Sequence, residues 1–319
     1  MIARALCAWA LLLTAWAAAA APAWQAATID MPAAQVGPHC WYVQGRLADA
    51  SADNQGFMSN AGFVITDAGV IVFDALGSPA LAARLLDEIK RHTPLPVRRV
   101  IISHYHADHF YGIPALRAAG AEIWAHTAAH TYLNSDAAER RLAERRASLG
   151  PWLGADFTLP LPDRWLAADE RFEFGGLHFQ LQHIGPGHAP EDLAMLVQED
   201  GVLYAGDTVY AGRVPFVGEA DTALWLRAIE RLLAIPARVL VPGHGPASYQ
   251  PRADLQLTHD YLSFVRTEMQ RAVADFVAFD EAYARIDWQR FAQLPTFKAA
   301  NRGNAYNVYL QMEQEVLHP

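Results

Sequence analysis

The chain has 319 residues, 52% of them hydrophobic and 18% charged. These are the proportions of a folded globular protein with room for one large core and an appendage. The formal charge of −9 argues against nucleic acid or an anionic membrane as partner, and the arginine-rich stretch over 139–146 mixes signs as a solvated helix face does.

In chain order, residues 1–21 read as a secretory signal peptide. Arg4 gives a short positive start, an apolar run follows, and Ala18 with Ala20, or Ala21 with Ala23, offers a small-residue cleavage site. The run is slightly short for a full membrane span. A periplasmic or secreted protein with no stable membrane association is therefore expected. Cys7 would leave with the signal, so Cys40 would remain as a lone, buried structural thiol. Residues 22–38, rich in Ala and Pro, read as a linker.

A main domain is expected over 39–250. Strands are read at 40–44, 60–66 and 70–73, then a helix over 79–92 with Leu81, Leu85, Leu86 and Ile89 on one face. The β-branched run 97–102 reads as a buried strand. A short helix over 113–119, a strand over 122–125 and a helix from Thr127 to 149 follow. Residues 150–164, with three prolines, Trp152 and Phe157, read as an irregular loop that packs as a surface arm or lines a site mouth. Strands recur at 171–174, 178–183, 193–198, 202–204 and 239–241. Asp221 is a fair cap for a helix to 234. Residues 251–319 read as an all-helical extension, with Leu255, Leu262, Val265 and Met269 in helical spacing and a last helix over 306–316.

The strongest local signal follows the strand at 97–102. Ser103, His104, Tyr105, His106, Ala107, Asp108 and His109 place three imidazoles and a carboxylate in one loop. That donor set suits zinc and its first-row neighbours. As core packing it would need a partner for every buried polar group. One short loop cannot surround an ion, so further ligands are expected from later strand ends. His188, Asp207 and His244 each follow an apolar run and a glycine, the residue that lets a backbone turn sharply. His126, His130, His178 and His183 fall on helix or strand positions and read as packing residues; His39, His92, His259 and His318 read as exposed. No G-x-S-x-G elbow, Walker loop or G-x-G-x-x-G fingerprint competes.

Asp74, the H-x-H-x-D-H run, His188, Asp207 and His244 together resemble the metallo-β-lactamase superfamily, over roughly residues 40–250. The resemblance implies an α/β fold, the four-layer αββα sandwich, here with a C-terminal helical appendage and two zinc ions at one edge; iron and manganese suit the same donors. It implies that His104, His106 and His188 hold the first metal, Asp108, His109 and His244 the second, and that Asp207 bridges them while Asp74 orients a ligand by hydrogen bond. Two such ions can share a hydroxide that attacks a carbonyl, with Asp108 orienting it.

The expected activity is thus an exported hydrolase of a small-molecule lactone, ester, thioester or lactam. Common zinc lactamases with this type of first loop have Cys or Ser where this chain has Asp207, which lowers the lactamase reading. Tyr210, three residues after Asp207, resembles the lactonase arrangement, where a phenol steadies an oxyanion; packing alone would also place it. Residues 206–218 and 56–65 resemble exported zinc hydrolases associated with bacterial sulfur-oxidation and quinoprotein dehydrogenase systems. Arg213 reads either as an anchor for a carboxylate or sulfonate or as a loop residue. The rival readings are a mononuclear iron oxygenase of persulfides and a non-catalytic binding protein.

Overall fold

The computed structural model describes residues 23–317. The proposed signal peptide at 1–21, Cys7 and His318 lie outside the described residues.

Two sheets form the centre of the molecule. The first contains β1 (Ala33–Gln35), β2 (Cys40–Val43), β3 (Ala61–Thr66), β4 (Gly69–Phe73), β5 (Val97–Ile101), β6 (Glu122–His126) and β7 (Arg164–Leu166), side by side in chain order. The second contains β8 (Glu170–Phe174), β9 (Leu177–His183), β10 (Leu193–Val197), β11 (Val202–Gly206) and β12 (Val239–Pro242), also in chain order. Successive side chains on a strand face opposite ways, and the central strands β3, β4, β10 and β11 are buried on both faces. In β4, Ile71 and Phe73 meet Phe179, Met195 and Tyr204 of the other sheet, while Val70 and Val72 face the outer helices. In β11, Val202 and Tyr204 turn inward, whereas Leu203 and Ala205 turn out.

The outer faces need cover, and helices supply it. On the first sheet lie α1 (Pro79–His92), α2 (Ala107–Phe110), α3 (Ile113–Ala118), α4 (Ala129–Leu133) and α5 (Asp136–Leu153). Ser78 caps α1 by accepting from the Leu81 N–H, and Leu81, Leu85 and Ile89 are buried. On the second sheet lie α6 (Thr222–Leu233), α7 (Pro251–Ala274), α8 (Phe279–Arg285) and α9 (Phe297–Leu317). The result is the αββα sandwich expected from the sequence.

The C-terminal helices are present as expected and share one core with α6. Trp225 and Ile229 of α6 pack in the same cluster as Leu262 and Val265 of α7 and Val308 of α9. Among the described residues, no helix is long and apolar enough to cross a membrane.

Three expectations need correction, and one open alternative is decided. The segment read as a linker is docked: β1 pairs antiparallel with β2, Met31 is fully buried, and Glu88 accepts a hydrogen bond from the Ala33 N–H. Its Ala- and Pro-rich composition hides this one anchor. The helix read from Thr127 to 149 is two helices. Asn134 ends the first, and the Ser135 hydroxyl caps the second. The second then continues through Gly150 and Pro151 to Leu153, because Trp152 and Leu153 pack into the core. Trp152, Leu153 and Phe157 anchor residues 150–164 to the first core while Leu161 stays exposed, so the segment packs as a surface arm and does not line the cavity over the candidate ligands. The last helix begins at Phe297, nine residues earlier than its apolar pattern suggests.

Candidate metal centre

All seven candidate ligands stand at one rim of the sandwich, on the segments that follow β5, β9, β11 and β12. After β5 the chain stays extended at His106 (φ −81°, ψ 142°), then turns into α2, which carries Asp108 and His109. This change of conformation aims four side chains from one short segment at a common point. His104 Nε2 lies 3.0 Å from His106 Nδ1, and His188 Nε2 lies 2.9 Å from the same nitrogen. Asp108, His109 and His244 form a second group: His244 Nε2 is 3.2 Å and His109 Nε2 3.5 Å from Asp108 Oδ2.

Asp207 sits between the groups. Its Oδ1 is 3.3 Å from His109 Nε2; its Oδ2 is 3.2 Å from His244 Nε2 and 3.7 Å from His188 Nε2. Two glycines permit this crowding. A Cβ on Gly243 would lie 1.9 Å from Asp207 Oδ1, and one on Gly206, whose φ is +51°, would lie 2.8 Å from the Ser103 Cβ.

Asp74 holds the site from behind. It accepts from the Ser103 N–H (2.7 Å) and hydroxyl (2.8 Å), and its Oδ2 lies 2.9 Å from His109 Nδ1. The Ser103 hydroxyl is also 2.9 Å from His104 Nδ1. One buried carboxylate thus orients one ring in each group. Sequence reading noted residues 56–65 only for a resemblance and missed what Met58, Ser59 and Asn60 do. Met58 O lies 2.7 Å from His244 Nδ1, the Ser59 hydroxyl donates to Asp108 O, and Asn60 donates to Pro242 O and Gly245 O on either side of His244. Nothing in the sequence marks an amide that serves the backbone of a loop more than 180 residues away.

The electrostatics divide the donors. Burial and neighbouring histidines lower His104, and burial first lowers His106 to about 4 and His188 to about 3. That direction favours the neutral ring, the form in which an imidazole can offer a metal its lone pair. Burial pulls His109 and His244 down too, but the carboxylates of Asp207 and Asp108 outweigh it, lifting them to about 9 and about 10. Burial opposes ionisation of Asp207 and Asp108, yet the adjacent histidines hold both well below the usual carboxylate range.

The donors fit divalent cations. His109 Nε2 and Asp207 Oδ1 are buried with no hydrogen-bond partner, a situation that costs about 1–3 kcal/mol per group when nothing answers it. Three triplets, His104/His106/His188, His104/His109/Asp207 and Asp108/His109/His244, each bring their ligand atoms within 4.8 Å of one another. Imidazole nitrogen with carboxylate oxygen is a donor set of zinc, iron and manganese.

Tyr210 is buried, and its hydroxyl donates to Asp207 Oδ2 at 2.9 Å. The phenol proton is therefore engaged by a carboxylate and not free for a substrate oxygen. The C-terminal helices secure this loop: Thr258 Oγ1 accepts from the Tyr210 N–H, Thr296 Oγ1 donates to Val214 O, and Asn304 donates to Pro215 O. Over the centre lies a cavity of about 430 Å³, with Thr296, Ala299 and Ala300 as part of its wall. The other histidines stay outside. His126 and His183 stack at 3.6 Å, His130 stacks on Trp165, and His178 pairs with Glu199.

Known proteins are similar to this chain. The profile of the metallo-beta-lactamase superfamily matches residues 54–244, a span that includes every candidate ligand. The linear primary-alkylsulfatase of Pseudomonas sp. (strain ATCC 19151) is 22% identical over 262 residues, covering 68% of this chain and 48% of that protein. The 2,4-dinitroanisole O-demethylase subunit alpha of Nocardioides sp. (strain JS1661) is 29% identical over 181 residues, covering 56% and 50%. The chain thus spans about half the length of these relatives. In fold it is similar to the stereoselective inverting sec-alkylsulfatase Pisa1 from Pseudomonas sp., with a TM-score of 0.66 and 19% identity over 88% of this chain and 50% of that one. With the profile spanning more than half of its length and the rim built as described, the chain belongs to the metallo-β-lactamase superfamily.

Proposed function

We propose that the chain is an exported hydrolase that uses two divalent ions, zinc foremost, to open a lactone, ester, thioester or lactam. The observation that carries this reading is the convergence of seven donor side chains from four segments on one buried point. His104, His106 and His188 would hold one ion and Asp108, His109 and His244 the other, with Asp207 between them. Such a pair, when bound, brings the pKa of water near neutrality and polarises the electrophile.

The chain's own residues do the rest. The Asp108 carboxylate faces the cavity, where it accepts a hydrogen bond from the attacking water and sets its line of approach. Tyr210, by donating to Asp207 Oδ2, positions that carboxylate and limits its rotation. The Asp74–Ser103 pair fixes the rings of His109 and His104. Burial of these groups keeps bulk water from screening them.

The alkylsulfatase relative favours a second substrate reading, a sulfate ester in place of a carbonyl compound. Both readings use the same residues. Elemental analysis and a substrate panel test them together. Two zinc ions per chain and turnover of one ester class are expected. A folded, zinc-replete protein inert to every ester, lactone, thioester, lactam and alkyl sulfate would sink the hydrolase. One iron per chain with oxygen uptake would replace it with the oxygenase.

A further inference from the structure

The rings of His104, His106 and His188 meet mainly one another, but the scaffold grips their main chain. Residues 191–193, where the His188 segment runs into β10, make contact on two sides. Glu191 Oε1 accepts from the Tyr105 N–H at 2.9 Å, and the Leu193 N–H donates to Ser103 O at 2.8 Å. These two bonds hold the peptide groups that flank His104, on the segment after β5. Asp192 turns the other way, onto the segment after β9. Its Oδ2 accepts from the Ala189 N–H at 2.9 Å, and its carbonyl accepts from the Ile184 and Gly185 N–H groups at 2.7 and 3.1 Å. Gly187 lets this loop close on the carboxylate: a Cβ there would lie 2.8 Å from Asp192 Oδ2. A single short stretch thus ties the end of a strand in the first sheet to the loop that carries His188 from the second.

Packing alone does not call for such residues here. Glu191 and Asp192 are both buried, and among the described residues neither has a cationic side chain within ion-pair distance. Glu191 Oε2 has no hydrogen-bond partner. A buried carboxyl group is destabilising unless its hydrogen bonds are made, and an apolar side chain would fill the same space without that cost. An apolar side chain cannot accept from a loop amide.

We propose that Glu191 and Asp192 are positioning residues for the first ligand set, fixing through the Tyr105 and Ala189 amides the separation of His104 and His106 from His188. They serve these histidines as Asn60 serves the loop of His244. The assignment rests on the two-ion reading of the centre and is independent of the substrate.

Glu191→Gln and Glu191→Leu are the informative pair. Both are uncharged and close to Glu in size, but only glutamine offers the Tyr105 N–H an acceptor. The zinc-loaded full chain is titrated with a chelator, and the ions are followed as successive release steps. Glu191→Leu should weaken one ion about 10- to 100-fold and leave the other unchanged. Glu191→Gln should recover most of the loss, and Asp192→Ala should weaken the same ion. Asp74→Asn, which acts on His109, marks the other ion. The double variant Asp74→Asn/Glu191→Leu should therefore weaken both, each as in its single variant. If Glu191→Leu does not fold, Glu191→Asp, whose carboxylate stops short of the Tyr105 N–H, takes its place with the same expected pattern. A double variant that leaves one ion at wild-type affinity overturns the assignment, since both substitutions would then act on one set. So does a Glu191→Leu chain in which neither ion or both ions weaken, or a glutamine variant as weak as leucine. A wild-type chain that binds one ion, weakened in Glu191→Leu and restored in Glu191→Gln, keeps the assignment and removes the two-ion hydrolase.

Discussion

His104, His106 and His188 offer three imidazoles to one point, whereas Asp108, His109 and His244 combine two imidazoles with a carboxylate. The two sets also differ in how the protein holds them. In the second, Asp74 contacts His109, Met58 O contacts His244, and Ser59 pins the backbone of Asp108. In the first, His104 touches the Ser103 hydroxyl, while His188 Nδ1 has no partner at all. Charge follows the same division. Burial leaves the first three rings neutral, and carboxylates lift His109 and His244 to about 9 and about 10. The second set is thus shaped by hydrogen bonds from the scaffold, and the first by what its rings share between them.

The largest effect should come from the residue common to both. Asp207→Ala removes the one carboxylate that faces His109, His188 and His244. A loss of about 10³-fold in kcat/KM is expected, the kinetic counterpart of several kcal/mol, together with less than two ions per chain by elemental analysis. Full metal content with activity within tenfold of wild type would show that Asp207 does not join the sets.

A smaller change separates them. Asp74→Asn retains the shape of the side chain but cannot serve as an anionic partner of His109 Nδ1. Removing such an outer partner lowers metal affinity about 10- to 100-fold. The second set touches Asp74 directly, and the first only through Ser103. Chelator titration should therefore release one ion earlier and leave the other closer to its wild-type affinity. Equal weakening of both ions would mean that the Ser103 relay matters as much as direct contact, and the distinction between the sets would fail.

The same contrast runs through what a sequence reader can see. The H-x-H-x-D-H segment is dense and follows a β-branched strand, so its chemistry is legible within one loop. His188, Asp207 and His244 are legible because each follows a strand and a glycine. The supports are not. Asn60 and Met58 act through contacts more than 180 residues distant in the chain, and contacts of that range leave no periodicity. The docked segment at Ala33–Gln35 was hidden by composition, since a three-residue edge strand shows no alternation. The long reach of α5 was hidden by Gly150 and Pro151, ordinary breakers overridden by the burial of Trp152 and Leu153.

Tyr210→Phe should have the smallest effect, and it decides between two roles for the phenol. The substitution keeps the ring that lies near Trp225, His244 and Arg213 and deletes only the donor to Asp207 Oδ2. If the hydroxyl positions Asp207, the carboxylate still faces the histidines and loses one hydrogen bond. The expected fall in kcat is then about tenfold or less, with two ions still bound. A donor aimed at a developing oxyanion is worth more, about 10²- to 10³-fold in kcat. A fall of that larger size, with metal content intact, would mean that the phenol leaves Asp207 and turns to the substrate during turnover. Tyr210 would then pass from a positioning residue to a catalytic one, and Asp207 would be held by the two ligand sets alone.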